Sequence, residues 1–184
     1  MQKKTYTVCV FCGSKSGNNI KYLKLANTLG KKLAERNLNV IYGGGNSGLM
    51  GALAEGVLAK NGSLVSVIPK FFKNKMDIIK SKKEIVTENL FDRKNIMIKK
   101  SDIFIALPGG YGTLDEIFEL IALNQLDLIS KKIIILDINN FWCSLKGLIK
   151  DLKKNGFLYT DNNNNIIFKN SIKKVIGFIE DSFK

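Results

Sequence analysis

Histidine is absent from this sequence. That removes the commonest general acid–base group and the commonest metal ligand together, so a His-dependent triad and a histidine-ligated zinc hydrolase site are both excluded. Arginine is nearly absent: of 29 basic residues only Arg36 and Arg93 are arginines. Where lysine is the default cation, an arginine points to a planar, two-pronged contact that lysine cannot copy. No apolar run reaches the ~18 residues that a membrane helix needs. The start, Met1-Gln2-Lys3-Lys4, leads straight into a strand-like segment without an apolar signal core, which predicts a cytoplasmic protein. Three cysteines are too few for a disulfide framework. Cys9 and Cys12 have C-x-x-C spacing, but in an extended run residues three apart point to opposite faces, so buried thiols are expected there.

What the sequence has in excess is positive charge, a formal +13. Such charge attracts anionic partners. The lysines, however, are scattered in pairs such as Lys31-Lys32, Lys82-Lys83, Lys131-Lys132 and Lys173-Lys174. A single-strand nucleic-acid surface would interleave aromatics and arginines on one face. Trp142 is the one tryptophan, and a nucleic-acid partner is not expected.

The 184 residues suit one domain, residues 1–184, with an ordinary 45% hydrophobic and 24% charged composition. Apolar β-branched runs alternate with helix-period segments. Strands are predicted at Thr7–Phe11, Leu38–Tyr42, Leu64–Ile68, Glu84–Thr87, Asp102–Leu107 and Ile133–Leu136. Helices are predicted at Ile20–Arg36, Leu49–Lys60, Asn89–Lys100, Thr113–Leu126, about Phe141–Asn155 and Ser171–Phe183. Lys70–Lys83 reads as a loop or short helix over the site, and Asp161–Asn165 as a polar loop. The alternation predicts a Rossmann-like, doubly wound α/β fold: a parallel sheet with helices on both faces. Ligands of such sheets bind at the carboxyl ends of the strands, near the switch in strand order. All the glycine clusters fall at such ends.

The first cluster, Gly13-Ser14-Lys15-Ser16-Gly17, lacks Walker A spacing but suits a phosphate or ribose. The second, Gly43-Gly44-Gly45-Asn46-Ser47-Gly48, fits G-x-G-x-x-G between strand and helix, where backbone N–H groups can face a ligand. The dinucleotide fingerprint also requires an acid ~20 positions on. Here that strand ends Val67-Ile68-Pro69-Lys70, which argues against NAD. Close helix–sheet packing without a ligand is the other reading of this turn. The third, Pro108-Gly109-Gly110-Tyr111-Gly112-Thr113-Leu114-Asp115-Glu116, opens a helix directly after a buried strand. Its free N–H groups and the positive end of the helix dipole suit a phosphate. Glu116 has two readings: the carboxylate of a Thr113-x-x-Glu116 capping box, or a catalytic carboxylate. Arg93-Lys94 opens another helix. Arg93 is either a surface partner of Asp92 or Glu88, or a contact to phosphate or transition state, and the scarcity of arginine favours the second.

These segments, in this order, resemble the Lonely Guy family of phosphoribohydrolases, long labelled lysine decarboxylases. The matching pieces are Cys12-Gly13-Ser14-x-x-Gly17 with Tyr22, Tyr42-Gly43-Gly44-Gly45-x-x-Gly48-Leu49-Met50-Gly51, Arg93-Lys94-x-x-Met97, and Leu107-Pro108-Gly109-Gly110-Tyr111-Gly112-Thr113-x-x-Glu116 with Gln125. The resemblance implies a Rossmann-like homodimer with no metal or organic cofactor. It implies hydrolysis of the N-glycosidic bond of a cytokinin riboside 5′-monophosphate, or of AMP, to free base and ribose 5-phosphate. Arg93 and Glu116 become the catalytic pair. Gly110, Tyr111, Gly112 and Thr113 become the phosphate cradle with Lys94 beside it, and Gly13, Ser14, Gly44, Gly45, Met97 and Gly109 complete the substrate-binding set. The sequence departs from the family pattern in the lysine-rich Lys70–Lys83, at Ala122 where threonine is usual, and at Asn37 where glycine is common. A molybdenum-cofactor carrier or a single-stranded DNA binder on the same fold is the competing class. A carrier has no need of a carboxylate beside its anion.

Overall fold

Strand and helix alternate along residues 5–73, 81, 83–158 and 165–183, the residues that the computed structural model describes. In chain order the elements are β1 (Thr7–Phe11), α1 (Lys21–Ala34), β2 (Asn39–Tyr42), α2 (Gly48–Leu58), β3 (Leu64–Pro69), a short α3 (Lys70–Lys73), β4 (Lys83–Thr87) and α4 (Leu90–Lys100). Then come β5 (Ile103–Ala106), α5 (Tyr111–Gln125), β6 (Lys132–Leu136), α6 (Cys143–Lys154), β7 (Ile166–Lys169) and α7 (Ile172–Ser182).

The strands form one sheet, ordered β4-β3-β2-β1-β5-β6-β7, and every pairing is parallel. The first four strands step outward in one direction. The chain then returns through α4 to pair β5 with β1, and the remaining strands step the other way. The switch in strand order therefore lies between β1 and β5. Crossovers of one hand put α1 and α2 on one face and α4, α5 and α6 on the other; α7 returns to the first.

Alternation along the strands sorts the core into two layers. Val8, Val10, Val40, Tyr42, Ile105 and Ile134 pack under α1, α2 and α7. Cys9, Phe11, Ile41, Phe104, Ala106 and Ile135 pack under α4, α5 and α6 with Met97, Ile117, Leu120 and Trp142. Cys9 and Cys12 fall in opposite layers, both buried, as the strand period requires.

Small residues set the spacing of α1 and α2. A Cβ on Gly30 would stand 2.3 Å from the Leu53 carbonyl oxygen, and one on Gly56 2.1 Å from that of Asn27. The Asn27 amide then donates to the Ala52 carbonyl at 3.2 Å. Neither glycine accepts a side chain unless the helices move apart, which costs more than the ~1 kcal/mol of helix propensity that alanine returns. Asn37, one of the departures from the family pattern, sits at φ +56°. Asparagine is among the few residues with a side chain that occupy this left-handed region readily, so the departure is neutral for the turn. Arg36, the other scarce arginine, donates to Glu180 at 2.6 Å and ties α1 to α7.

One segment differs from the sequence expectation. β7 was not foreseen; it is a half-buried edge strand on β6. Of Lys70–Lys83, the first four residues form α3 and Lys83 opens β4, while residues 74–80 and 82 lie outside the described residues. The polar loop expected at Asp161–Asn165 lies outside them too, except for Asn165, which donates to Asn124 at 3.0 Å.

Candidate active site

The three glycine-rich turns meet at the carboxyl ends of β1, β2 and β5, where the strand order switches. The first turn is the keystone. Gly13 donates its N–H to the Pro108 carbonyl at 3.0 Å, and its own carbonyl accepts from Leu49 N at 3.0 Å. The Ser47 hydroxyl donates to the Ser14 carbonyl at 3.0 Å. Gly48 has φ +58°, and a Cβ there would lie 2.5 Å from the Ser14 carbonyl carbon. Gly44, at φ +85°, lies against Ile68, and Gly45 is buried. Gly44 and Gly45 thus pack the turn, while Gly13 and Ser14 reach its outer surface.

The third turn ends in an open helix start. Gly110 is the N-cap of α5, and no side chain caps it. The N–H groups of Tyr111, Gly112 and Thr113 belong to the first turn and have no partner within the helix. Cβ atoms on Gly110 and Gly112 would meet nothing within 4 Å, so the approach to these groups is bare backbone. Thr113 is buried, its hydroxyl folded over Gly109, where a Cβ would stand 2.1 Å from Oγ1. Tyr111 stands 92% exposed at the rim. The geometry of this helix start and the helix dipole make it a candidate anion site.

Beside it lies a buried ion pair. Arg93, from the first turn of α4, places Nη1 3.0 Å from Glu116 Oε1. Its Nε donates to the Val67 carbonyl at the end of β3, at 3.2 Å. Its Nη2 occupies the space a side chain at residue 43 would need, 2.3 Å from where a Cβ on Gly43 would be. The guanidinium is thus held on three sides by different elements. Asn89, the N-cap of α4, accepts from Asp92 N at 2.9 Å and its amide donates to Asp92 Oδ2 at 2.9 Å, so the Asp92 carboxylate is engaged at the helix start instead of pairing with Arg93.

Glu116 is 7% exposed. Burial pushes its carboxyl above the usual range, to about 6, with Arg93 pulling against the shift. The capping-box reading fails on geometry. The helix begins at Tyr111, two residues earlier than expected, so Thr113 is inside it and Glu116 lies a turn further in. Cys12, close by, is held un-ionised by burial, reinforced by the Glu116 charge.

Two residues of the expected site are placed otherwise. Lys94 lies 2.9 Å from Asp115 Oδ2 and 2.7 Å from Glu119 Oε2, tying α4 to α5. Met97 is fully buried against the sheet in the α4–α6 layer and offers no surface to a ligand. Gly43 and the Val67 carbonyl, which seat Arg93, were not singled out; the unbroken run of three glycines was the available signal.

Residues 50–179 match a family model described as possible lysine decarboxylase. A cytokinin riboside 5′-monophosphate phosphoribohydrolase of Arabidopsis thaliana is 35% identical over 182 residues, 98% of this chain and 85% of the relative. A protein of Oryza sativa subsp. japonica, named a probable enzyme of the same kind, is 38% identical over 85% of this chain and 70% of the relative. Among solved structures, a molybdenum cofactor binding protein of Rippkaea orientalis superposes with TM-score 0.73 at 23% identity, each chain fully covered. The molybdenum cofactor carrier protein of Chlamydomonas reinhardtii gives 0.75 at 19%, over 97% of this chain and 98% of that one. At such identities the structural matches establish the fold alone. The family match and the sequence relatives establish more: the chain belongs to the Lonely Guy family, whose model still carries the description possible lysine decarboxylase.

Proposed function

We propose that this protein hydrolyses the N-glycosidic bond of a nucleoside 5′-monophosphate, AMP or its cytokinin counterpart, to free base and ribose 5-phosphate. The observation that carries this is the buried Arg93–Glu116 pair beside an uncapped helix start. The 5′-phosphate rests on the N–H groups of Tyr111, Gly112 and Thr113 and fixes the sugar, which supplies much of the rate by positioning. As the C1′–N bond breaks, its electron pair leaves with the base and C1′ gains oxocarbenium character. The ionised Glu116 stabilises that charge and takes a proton from the attacking water, whose oxygen becomes the new hydroxyl on C1′. The proton taken by Glu116 passes to the departing base, which leaves as its neutral N–H form and returns Glu116 to the carboxylate. Arg93 orients Glu116 and the substrate.

Amino-acid decarboxylation has less support. That chemistry runs through an imine, formed by a neutral amine. Lys94 is driven the opposite way: burial alone would lower its pKa, but the pairs with Glu119 and Asp115 outweigh burial and raise it.

Incubation of the protein with AMP, and separately with isopentenyl-adenosine monophosphate, is expected to release base and ribose 5-phosphate in equal amounts. The ratio of the two rates defines the substrate. Nucleotide retained for hours with no base released would instead make the protein a carrier.

We also infer a homodimer. Tyr111, Leu114, Phe118 and Ile121 follow one another at helical spacing along α5, with Leu90 and Phe91 exposed at the start of α4. An apolar patch of this kind suits a second copy. Sedimentation equilibrium is expected to give twice the chain mass, and Phe118→Lys the single mass; a monomeric wild type rules the pairing out. Free thiols at Cys9, Cys12 and Cys143 suit a reducing cytoplasm. Among the described residues no helix is long and apolar enough to cross a membrane.

A further inference from the structure

A single helix, α4, has to serve three strands. The chain leaves β4 at the sheet edge and must reach β5 on the far side of β1, so α4 crosses diagonally over β4, β3 and β1. Eleven residues of helix are only about 16 Å long. Among the described residues no element covers the corner of this face at the amino ends of β2, β3 and β4. A cavity of about 440 Å³ opens there, within the roughly 300–1,000 Å³ typical of small-molecule sites.

Its floor is aliphatic: Ile41, Val65 and Ile85, one from each of three adjacent strands. Its rim is cationic, with Lys83 at the start of β4 and Lys100 at the end of α4, and Ser63 adds a hydroxyl. Among the described residues no carboxylate lines it. The acids next in sequence are already engaged: Glu84 pairs with Lys73 at 2.7 Å, and Asp102 accepts at 2.8 Å from the backbone N of Thr7, a residue that also lines the cavity. Among the described residues neither Lys83 nor Lys100 has a carboxylate partner within ion-pair distance. Two cations over an apolar floor favour one kind of occupant.

We propose that this cavity binds a small amphipathic anion, an apolar body on Ile41, Val65 and Ile85 with its anionic group between Lys83 and Lys100. The site lies at the amino ends of the strands, and the Arg93–Glu116 pair at the carboxyl ends. The two are filled independently, and the proposal does not rest on the nucleotide reading.

Calorimetric titration of the full chain with decanoate, against decanol as the uncharged control, tests it. Saturable one-to-one binding of decanoate is expected, with decanol much weaker. Lys83→Gln and Lys100→Gln each weaken decanoate about fivefold, the effect of one exposed charge contact. Saturating AMP and the Glu116→Gln variant leave decanoate binding unchanged. Both lysine variants are surface changes, and Val65→Phe, which fills the floor, abolishes binding by steric exclusion. Absence of saturable binding, equal affinity for decanol, unaltered affinity in both lysine variants, or displacement by AMP would each overturn the proposal.

Discussion

Glutamine in place of Glu116 lowers the turnover number for base release about a thousandfold and leaves KM within a few-fold. The amide keeps the shape and a hydrogen bond to Arg93 but carries no charge to meet the oxocarbenium and no basic oxygen for water. In the wild type the acid limb of activity follows the same group. Glu116 titrates near pH 6, raised by burial against the pull of Arg93, so activity falls as pH drops through about 6. The stability consequence has the opposite direction. A carboxyl whose folded pKa lies above its unfolded value adds stability that is fully present below the unfolded pKa. That stability is lost as pH rises through the folded one. For Glu116 the loss amounts to roughly 2 kcal/mol between pH 4 and pH 7.5. The wild type should therefore lose about that much relative to Glu116→Gln over this range in urea melts. Turnover retained in the variant would return Glu116 to a structural role. A pH-independent stability difference would show that the carboxylate is solvated in the native state.

The fold was legible because the inner strands β3, β2, β1, β5 and β6 are buried on both faces and read as near-continuous apolar runs. Each strand from β1 to β6 was found within two residues of its observed bounds. β7 was not: Ile166–Lys169 adjoins an asparagine run that reads as loop. At the site, local chemistry was legible and long-range pairing was not. The turn sequences pointed to the uncapped start of α5, and the rarity of arginine marked Arg93. Which residue Arg93 would meet depended on α4 and α5 packing side by side, a contact between residues 23 apart that spacing within one helix cannot show. The same packing turns Lys94 toward Asp115 and Glu119. Met97 illustrates a related limit: four residues beyond Arg93, it falls on the face that α4 buries. The capping-box reading of Thr113 and Glu116 depended on the helix starting at Thr113. Glycine at residues 110 and 112 hides the true start, because neither carries a side chain whose periodicity could mark it.

Gly43→Ala is expected to lower turnover about a hundredfold, the usual result of displacing a catalytic group by about an ångström. Gly43 has no left-handed backbone to strain and is not among the positive-φ glycines. The added methyl therefore acts through contact alone. That contact is with Nη2 of Arg93, at 2.3 Å, and with the Met50 sulfur at 3.1 Å. Both are ends of flexible side chains, so the fold can yield at small cost. The arginine, however, cannot yield and still hold Val67 and Glu116 together. As the guanidinium moves off, Glu116 loses the charge that opposes its burial, and its pKa rises above about 6. The acid limb of the pH profile then shifts to higher pH, in the same direction as in Arg93→Gln, which removes the guanidinium altogether. A merely loosened fold would lower activity at every pH without moving that limb. Gly43→Ala thus separates a seat for Arg93 from a packing glycine. Wild-type turnover, or reduced turnover with an unmoved limb, would assign Gly43 to packing and leave Val67 and Glu116 as the groups that hold Arg93.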